Sequence, residues 1–103
     1  MEEAKLIWVE HAKDEDGFPV TVDHTEEIFV DEASVTRVEF YESMRAGISV
    51  KIVLVSRIED FLKSEHMVAE KKEYAREIIY DGSRYEIIRT YKKGKSKIEL
   101  VCS

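Results

Sequence analysis

Alternating hydrophobic and polar positions predict strands near the start of the chain. The segment from Ala4 to His11 contains the apolar run Leu6 to Val9, and the charged stretch KDEDG follows it. After that stretch, hydrophobic side chains return at every second position, at Phe18, Val20 and Val22. Asp16-Gly17 is a turn signal, because glycine tolerates a positive φ and aspartate bonds to nearby backbone. The pattern predicts an antiparallel hairpin.

Ile28 and Val30 predict further extended chain. The polar residues His24 to Glu27, which lie between Val22 and Ile28, predict a bulge or loop.

The middle of the chain changes its period. Between Ser34 and Gly47, hydrophobic residues recur every three to four positions, Thr36 and Glu39 have the spacing of a capping box, and Gly47 provides a stop. A helix of two to three turns is predicted there. From Ile48 to Asp60 the period returns to two, which predicts the longest strand, and Val53 and Val55 indicate that its second face is partly covered.

The remaining segments complete the predicted fold. Phe61 to Glu73 is charged and has no clear period, so it is read as either a short helix or a mobile excursion. The last third contains three segments rich in β-branched and aromatic residues, separated by Asp81-Gly82 and by a lysine-rich turn at Gly94. About six strands with one short helix inserted mid-chain predict a mainly β protein, either a small β-barrel or a sandwich. A barrel would also remove exposed strand edges.

Length and composition limit the class of protein. With 103 residues, of which 44% are hydrophobic, the chain is predicted to be a single domain spanning residues 1–103. The longest apolar run, Val50 to Val55, is far shorter than the roughly 20 residues of a membrane span, so no membrane contact is expected. The first residues are acidic where a signal peptide is basic, and the single Cys102 has no intrachain disulfide partner. These features favour the cytoplasm.

Charge is divided unequally along the chain. The net charge is -6, but residues 1–35 contain 11 acidic and 2 basic residues, a net of -9. The rest has 14 basic and 11 acidic residues, a net of +3. An overall acidic chain argues against a protein that depends on neutralising nucleic-acid phosphates.

Few residues form a pattern typical of catalysis or metal binding. Asp14, Asp16 and Gly17 resemble the start of a calcium loop, but the further ligands are missing and a solvated turn is preferred. His11 and His24 would hold a metal only if they faced each other across the first hairpin. No serine lies in a G-x-S-x-G elbow, there is no glycine-rich phosphate loop, and Cys102 fits a core position on the last strand. We expect no enzyme activity and no cofactor.

A basic cluster near the C-terminus has three interpretations. It contains Arg84, Arg89, Lys92, Lys93, Lys95 and Lys97. Interleaved with Tyr85 and Tyr91, it would suit single-stranded nucleic acid. It would equally suit a soluble hairpin tip that protects a strand edge. In the third interpretation, the basic hairpin of one subunit meets the acidic N-terminal third of the next, and such head-to-tail contacts close into rings.

Four pieces of sequence resemble the head-tail adaptor proteins of tailed bacteriophages, the head-completion or stopper family. They are the DEDGF turn at Asp14 to Phe18, the segment SVTRVEFYESMRAG at Ser34 to Gly47, the strand at Ile48 to Asp60, and the meander YDGSRYEIIRTY at Tyr80 to Tyr91. Their order and spacing cover nearly the whole chain.

The resemblance implies a small β-barrel that assembles as a homo-oligomeric ring below the portal, closes the DNA-filled head and docks the tail. Its implied partners are copies of itself, the portal-side adaptor, tail proteins and, in passing, double-stranded DNA. The implied location is the virion, after assembly in the host cytoplasm. Candidate subunit or tail contacts are Lys92, Lys93, Lys95 and Lys97. Candidate channel or partner loops contain Asp14, Asp16, Phe61, Lys63 and His66.

Overall fold

A computed structural model describes residues 1–33, 45, 47 and 49–103. Among these residues the chain forms eight strands and one short helix. The strands are β1 (Glu2–Lys13), β2 (Pro19–Ala33), β3 (Ile52–Arg57), β4 (His66–Val68), β5 (Lys71–Glu73), β6 (Glu77–Tyr80), β7 (Ser83–Lys93) and β8 (Lys97–Cys102); the helix, α1, is Ile58–Leu62. The helix predicted from Ser34 to Gly47 lies outside the described residues, apart from the isolated positions 45 and 47.

Six of the strands close into an antiparallel barrel in the order β1, β2, β3, β8, β7, β6. Closure comes from β6, which returns to pair with β1 from Ala4↔Tyr80 to Ile7↔Glu77. The mainly β class, the barrel and the presence of a short helix are therefore confirmed. β4 and β5 form a separate two-stranded hairpin between α1 and β6.

The barrel interior follows the alternation of the strands. Side chains from every second residue of β1, β2, β3, β6 and β8 point inward, and they form the core: Ala4, Leu6, Ile28, Val30, Leu54, Ile78, Tyr80, Ile98, Leu100 and Cys102. Val53 and Val101 pair across β3 and β8 and are also buried, although they lie on the opposite parity. The prediction that the second face of the strand containing Val53 is partly buried is confirmed at Val53.

Two predicted boundaries are wrong. Residues 24–27 were expected to bulge, but β1 and β2 keep a continuous register from Glu2↔Val30 to Lys13↔Pro19. The strand predicted from Ile48 to Asp60 as the longest spans only Ile52–Arg57, six residues against fifteen in β2. It ends where the Ile58 amide donates to the Ser96 carbonyl and the chain turns into α1. Glu59 and Asp60 in the first turn of α1 suit the positive end of a helix.

One buried hydroxyl links the start of the segment from Phe61 to Glu73 to the chain just after it. Ser64 is fully buried; its Oγ donates to the Phe61 carbonyl over 2.8 Å and accepts from the Ala75 amide over 2.9 Å. The last turn of α1 is thereby joined to the chain that enters β6, and the β4–β5 hairpin lies between these two points.

Candidate interaction surfaces

The paired strands β1 and β2 extend beyond the barrel as a ribbon. β1 pairs with β6 only at residues 4–7, and β2 pairs with β3 only at residues 30–33, whereas the two strands pair with each other throughout. Residues 9–23, called the arm below, are exposed except for the half-buried Glu10. The molecule is accordingly elongated, with principal extents of 52 × 30 × 28 Å.

The arm ends in a tight turn that the sequence partly predicted. Gly17 has a φ of +83°, as a turn glycine should. The aspartate that bonds the backbone is Asp14, whose Oδ1 accepts from the amides of Asp16 and Phe18 at 3.0 and 2.8 Å. Asp14 is thus committed to the turn, and Asp16 projects an uncommitted carboxylate at the tip.

The arm is acidic and carries exposed hydrophobic side chains. Its residues include five acids and one lysine, a net charge of -4. Phe18 is 66% exposed and Val22 is 44% exposed, and Val20 lies on the same face of β2 as Val22. A charged ribbon with uncovered apolar residues is typical of a contact surface.

A second surface lies at the turn between β7 and β8. Residues 91–97, called the basic tip below, contain four exposed lysines and no acid, a net charge of +4. Lys93 pairs with Glu99 at 3.3 Å. No carboxylate of a described residue lies within ion-pair distance of Lys92, Lys95 or Lys97. Tyr91 adds a ring that is 45% exposed.

The order of strands around the barrel separates the arm from the basic tip. β1 and β2 are neighbours, and β8 and β7 lie across the barrel from them, with β3 on one side and β6 on the other. Because all pairs are antiparallel, β1 and β7 run in the same direction. The arm and the basic tip therefore project from the same end of the barrel, on opposite sides.

Beside the base of the arm, three rings stack. The indole of Trp8 lies between the imidazoles of His24 and His66, with centroid distances of 5.5 and 6.1 Å and interplanar angles near 14° and 13°. His66 Nδ1 lies 2.7 Å from the Ser64 carbonyl. The stack joins β2, β1 and β4, next to a surface cleft of about 360 Å³ that Trp8, His66 and Tyr74 help to line.

The histidine pair considered for metal binding does not form. His24 pairs in register with Trp8, and His11 pairs with Thr21, so the two imidazoles do not face each other. His24 Nε2 instead lies 3.5 Å from Glu10 Oε1. Within the described part of the chain, no group of three His, Cys, Asp or Glu side chains is placed to hold a metal ion.

The loop candidates from the sequence are placed differently from one another. Phe61 is buried in the core cluster and its ring lies 5.5 Å from that of Tyr74, so it has a packing role. Lys63 is half exposed and lies 3.4 Å from Asp60 and 4.0 Å from Glu26. His66 is held in the ring stack.

Two polar groups near the core are held in their neutral forms. Cys102 is fully buried, and burial raises the pKa of its thiol to about 12, which confirms it as a core residue. The Tyr80 hydroxyl donates to Glu2 Oε2 over 2.6 Å; this hydrogen bond, burial and nearby carboxylates raise the pKa of Tyr80. The hydrogen bond from Tyr80 to Glu2 attaches the start of β1 to β6.

Sequence reasoning missed the ring stack. In the sequence Trp8 is part of an apolar run, and His24 and His66 are far apart. The available signal was the alternation itself: Trp8 shares parity with the core residues Ala4 and Leu6, which places it at the barrel mouth.

Among the described helices, none is long and apolar enough to cross a membrane.

Comparison with known proteins gives no relative: no family model, no curated protein and no solved structure matches this chain. Its function is therefore inferred from its residues and their arrangement.

Proposed function

We propose that this chain is a structural subunit of a phage or prophage head-tail connector. It assembles with copies of itself into a ring below the portal, closes the DNA-filled head and offers a docking surface to the tail. Its partners are other copies, the portal-side adaptor, tail proteins and, in passing, double-stranded DNA. It acts in the virion, after assembly in the host cytoplasm. The role requires no catalytic residue and no cofactor.

The observation that carries the proposal is the small closed barrel with an arm outside it. Three of the four sequence pieces that resemble head-tail adaptors fall on described residues. One forms the turn of the arm, one contributes β3, and one contains the β6–β7 turn and most of β7. A ring subunit needs surfaces that leave its own core intact, and the arm and the basic tip are both outside the core cluster.

The rival function, binding of single-stranded nucleic acid, needs aromatic faces next to the lysines. Of the two tyrosines that sequence reasoning assigned to it, Tyr85 is half-buried and packs against the core. Only Tyr91 has a largely free ring, and Arg89 Nη1 lies 3.4 Å from its hydroxyl. One ring beside four lysines is a weak stacking platform, so the connector function is preferred.

Two experiments test the proposal. The first is electron microscopy of the purified chain in negative stain, together with its mass in solution. Rings with a central channel are expected, and a monomer at the highest attainable concentration would contradict the proposal. The second is a gel-shift assay with single-stranded DNA at moderate salt. No retardation is expected; tight binding that weakens steeply with salt would favour the rival.

The position of the gene offers an independent check. A connector gene is expected beside genes for portal, major capsid and tail-tube proteins. A neighbourhood of unrelated metabolic genes would count against the proposal.

A further inference from the structure

We infer that the arm of one subunit docks on the basic tip of a second copy of this chain, in a head-to-tail contact. The inference rests on the proposed self-assembly and adds to it the two surfaces that meet. Three features of the structure support it: charge, position and uncovered apolar area.

The charges of the arm and the basic tip are complementary, which makes a second copy of this chain a suitable partner. The arm has a net charge of -4 and the basic tip a net charge of +4. Most of these charges are unused within the subunit. On the arm, Glu15, Asp16 and Asp23 have no ion pair among the described residues, and the same holds for Lys92, Lys95 and Lys97 on the tip. Complementary potentials of this kind steer association and fix its orientation.

The positions of the arm and the basic tip on the barrel determine how two copies can meet. Among the described residues, no ion pair joins the arm to the basic tip within one subunit, and β1 and β2 lie across the barrel from β7 and β8. The arm and the basic tip do project from the same end. Copies related by rotation about an axis parallel to the barrel keep this end at the same level, so the arm side of each subunit can face the tip side of the next. Such a heterologous contact can repeat until it closes.

Apolar side chains complete the contact. Phe18, Val20 and Val22 are exposed on the arm, and Tyr91 is exposed beside the lysines. These residues allow the contact to bury hydrophobic area as well as to pair charges, so salt should weaken the assembly without abolishing its specificity.

The test exchanges the charges. The arm variant carries Glu15→Lys, Asp16→Lys and Asp23→Lys, and leaves Asp14 in place because it holds the turn. The tip variant carries Lys92→Glu, Lys95→Glu and Lys97→Glu, and leaves Lys93 paired with Glu99. The control is matched to the tip variant: it carries Lys5→Glu, Lys51→Glu and Lys71→Glu, which lower the net charge by the same amount on exposed lysines elsewhere.

Mass in solution is measured for each variant alone and for an equal mixture, and circular dichroism checks folding. We expect the wild type and the control to assemble, and each exchanged variant to remain monomeric and folded. The mixture should assemble again, because each lysine-bearing arm then meets a glutamate-bearing tip, and each acidic arm meets a lysine tip.

Each negative result of the assembly experiment has a different consequence for the two proposals. If the wild type assembles and both exchanged variants assemble equally well, the arm-to-tip contact is wrong while the connector function stands. Failure of the mixture to assemble also overturns the contact. If the wild type and the control both remain monomeric, the proposed function itself fails. Loss of assembly by the control alongside the tip variant would show a net-charge effect and would overturn the specific contact.

Discussion

Replacing Ser64 by alanine is expected to destabilise the barrel more than its size suggests. The hydroxyl is fully buried and joins the end of α1 to the residue before β6 by two hydrogen bonds, one donated and one accepted. Alanine removes both and leaves the buried Ala75 amide without its partner. An orphaned buried donor costs about 1–3 kcal/mol, so we expect a loss of about 2 kcal/mol in the free energy of unfolding. For a domain of this size, that lowers Tm by roughly 10 °C.

Ser56→Ala is the matched control. Ser56 is also buried, but its Oγ only donates to the adjacent Arg57 carbonyl over 3.0 Å, and no described amide depends on it. We expect a loss of about 0.5–1 kcal/mol. Urea unfolding of both variants measures the difference, and hydrogen exchange of the Ala75 amide reports the cause. Equal losses in the two variants, or an Ala75 amide that stays protected in Ser64→Ala, would refute the reasoning.

Four further predictions follow from the described contacts. The Cys102 thiol should resist a thiol reagent in the native protein and react on unfolding; fast native labelling would contradict its burial. The folded pKa of Cys102 is about 12 against an ordinary value of 9.0, so between these pH values the folded state keeps a proton that the unfolded state releases. Cys102 should therefore make stability fall with rising pH by at most about 1.4 kcal/mol per pH unit, and this part of the fall should be absent in Cys102→Ala; equal pH dependence of the urea midpoint in the two proteins would argue against the shift. His66→Ala should red-shift the fluorescence of Trp8, the only tryptophan, whereas Lys95→Ala at the basic tip should leave it unchanged; identical spectra in the two variants would exclude the stack. Gly82→Ala places a Cβ at a φ of +76° and should lower the free energy of unfolding by about 1–2 kcal/mol; a neutral effect would show that the turn relaxes.

The hairpins with glycine turns were predictable from the sequence. Asp16-Gly17 and Asp81-Gly82 each follow a run of strand-forming residues, and both glycines adopt the positive φ that the prediction needs. The β4–β5 hairpin carried no such signal. Its strands have three residues each, too few to show a period of two. Its turn places Ala69 and Glu70 at positive φ, where sequence rules expect glycine or asparagine.

The error at residues 24–27 has a physical cause. Polar residues at every position predict a break in the strand, because a strand that covers a core alternates hydrophobic and polar residues. β2 continues through these residues, but there it leaves the barrel, and Glu27 and Thr25 face solvent on the arm side of the core residue Ile28. The loss of alternation marks the point where the core ends.

Both charge clusters were visible in the sequence, but their places on opposite sides of one barrel depend on the order in which the strands close.

Two kinds of assembly use these surfaces differently. An isologous dimer would pair the arm of each subunit with the basic tip of the other and leave neither surface free. A head-to-tail contact pairs one arm with one tip and leaves one of each free to bind the next subunit. The mass of the wild type in solution therefore decides between them, because a closed pair stops at two copies whereas the proposed ring contains more. An arm held apart from the core also suits the proposed ring, since a two-stranded ribbon is marginally stable in water and gains most from a neighbour that covers it.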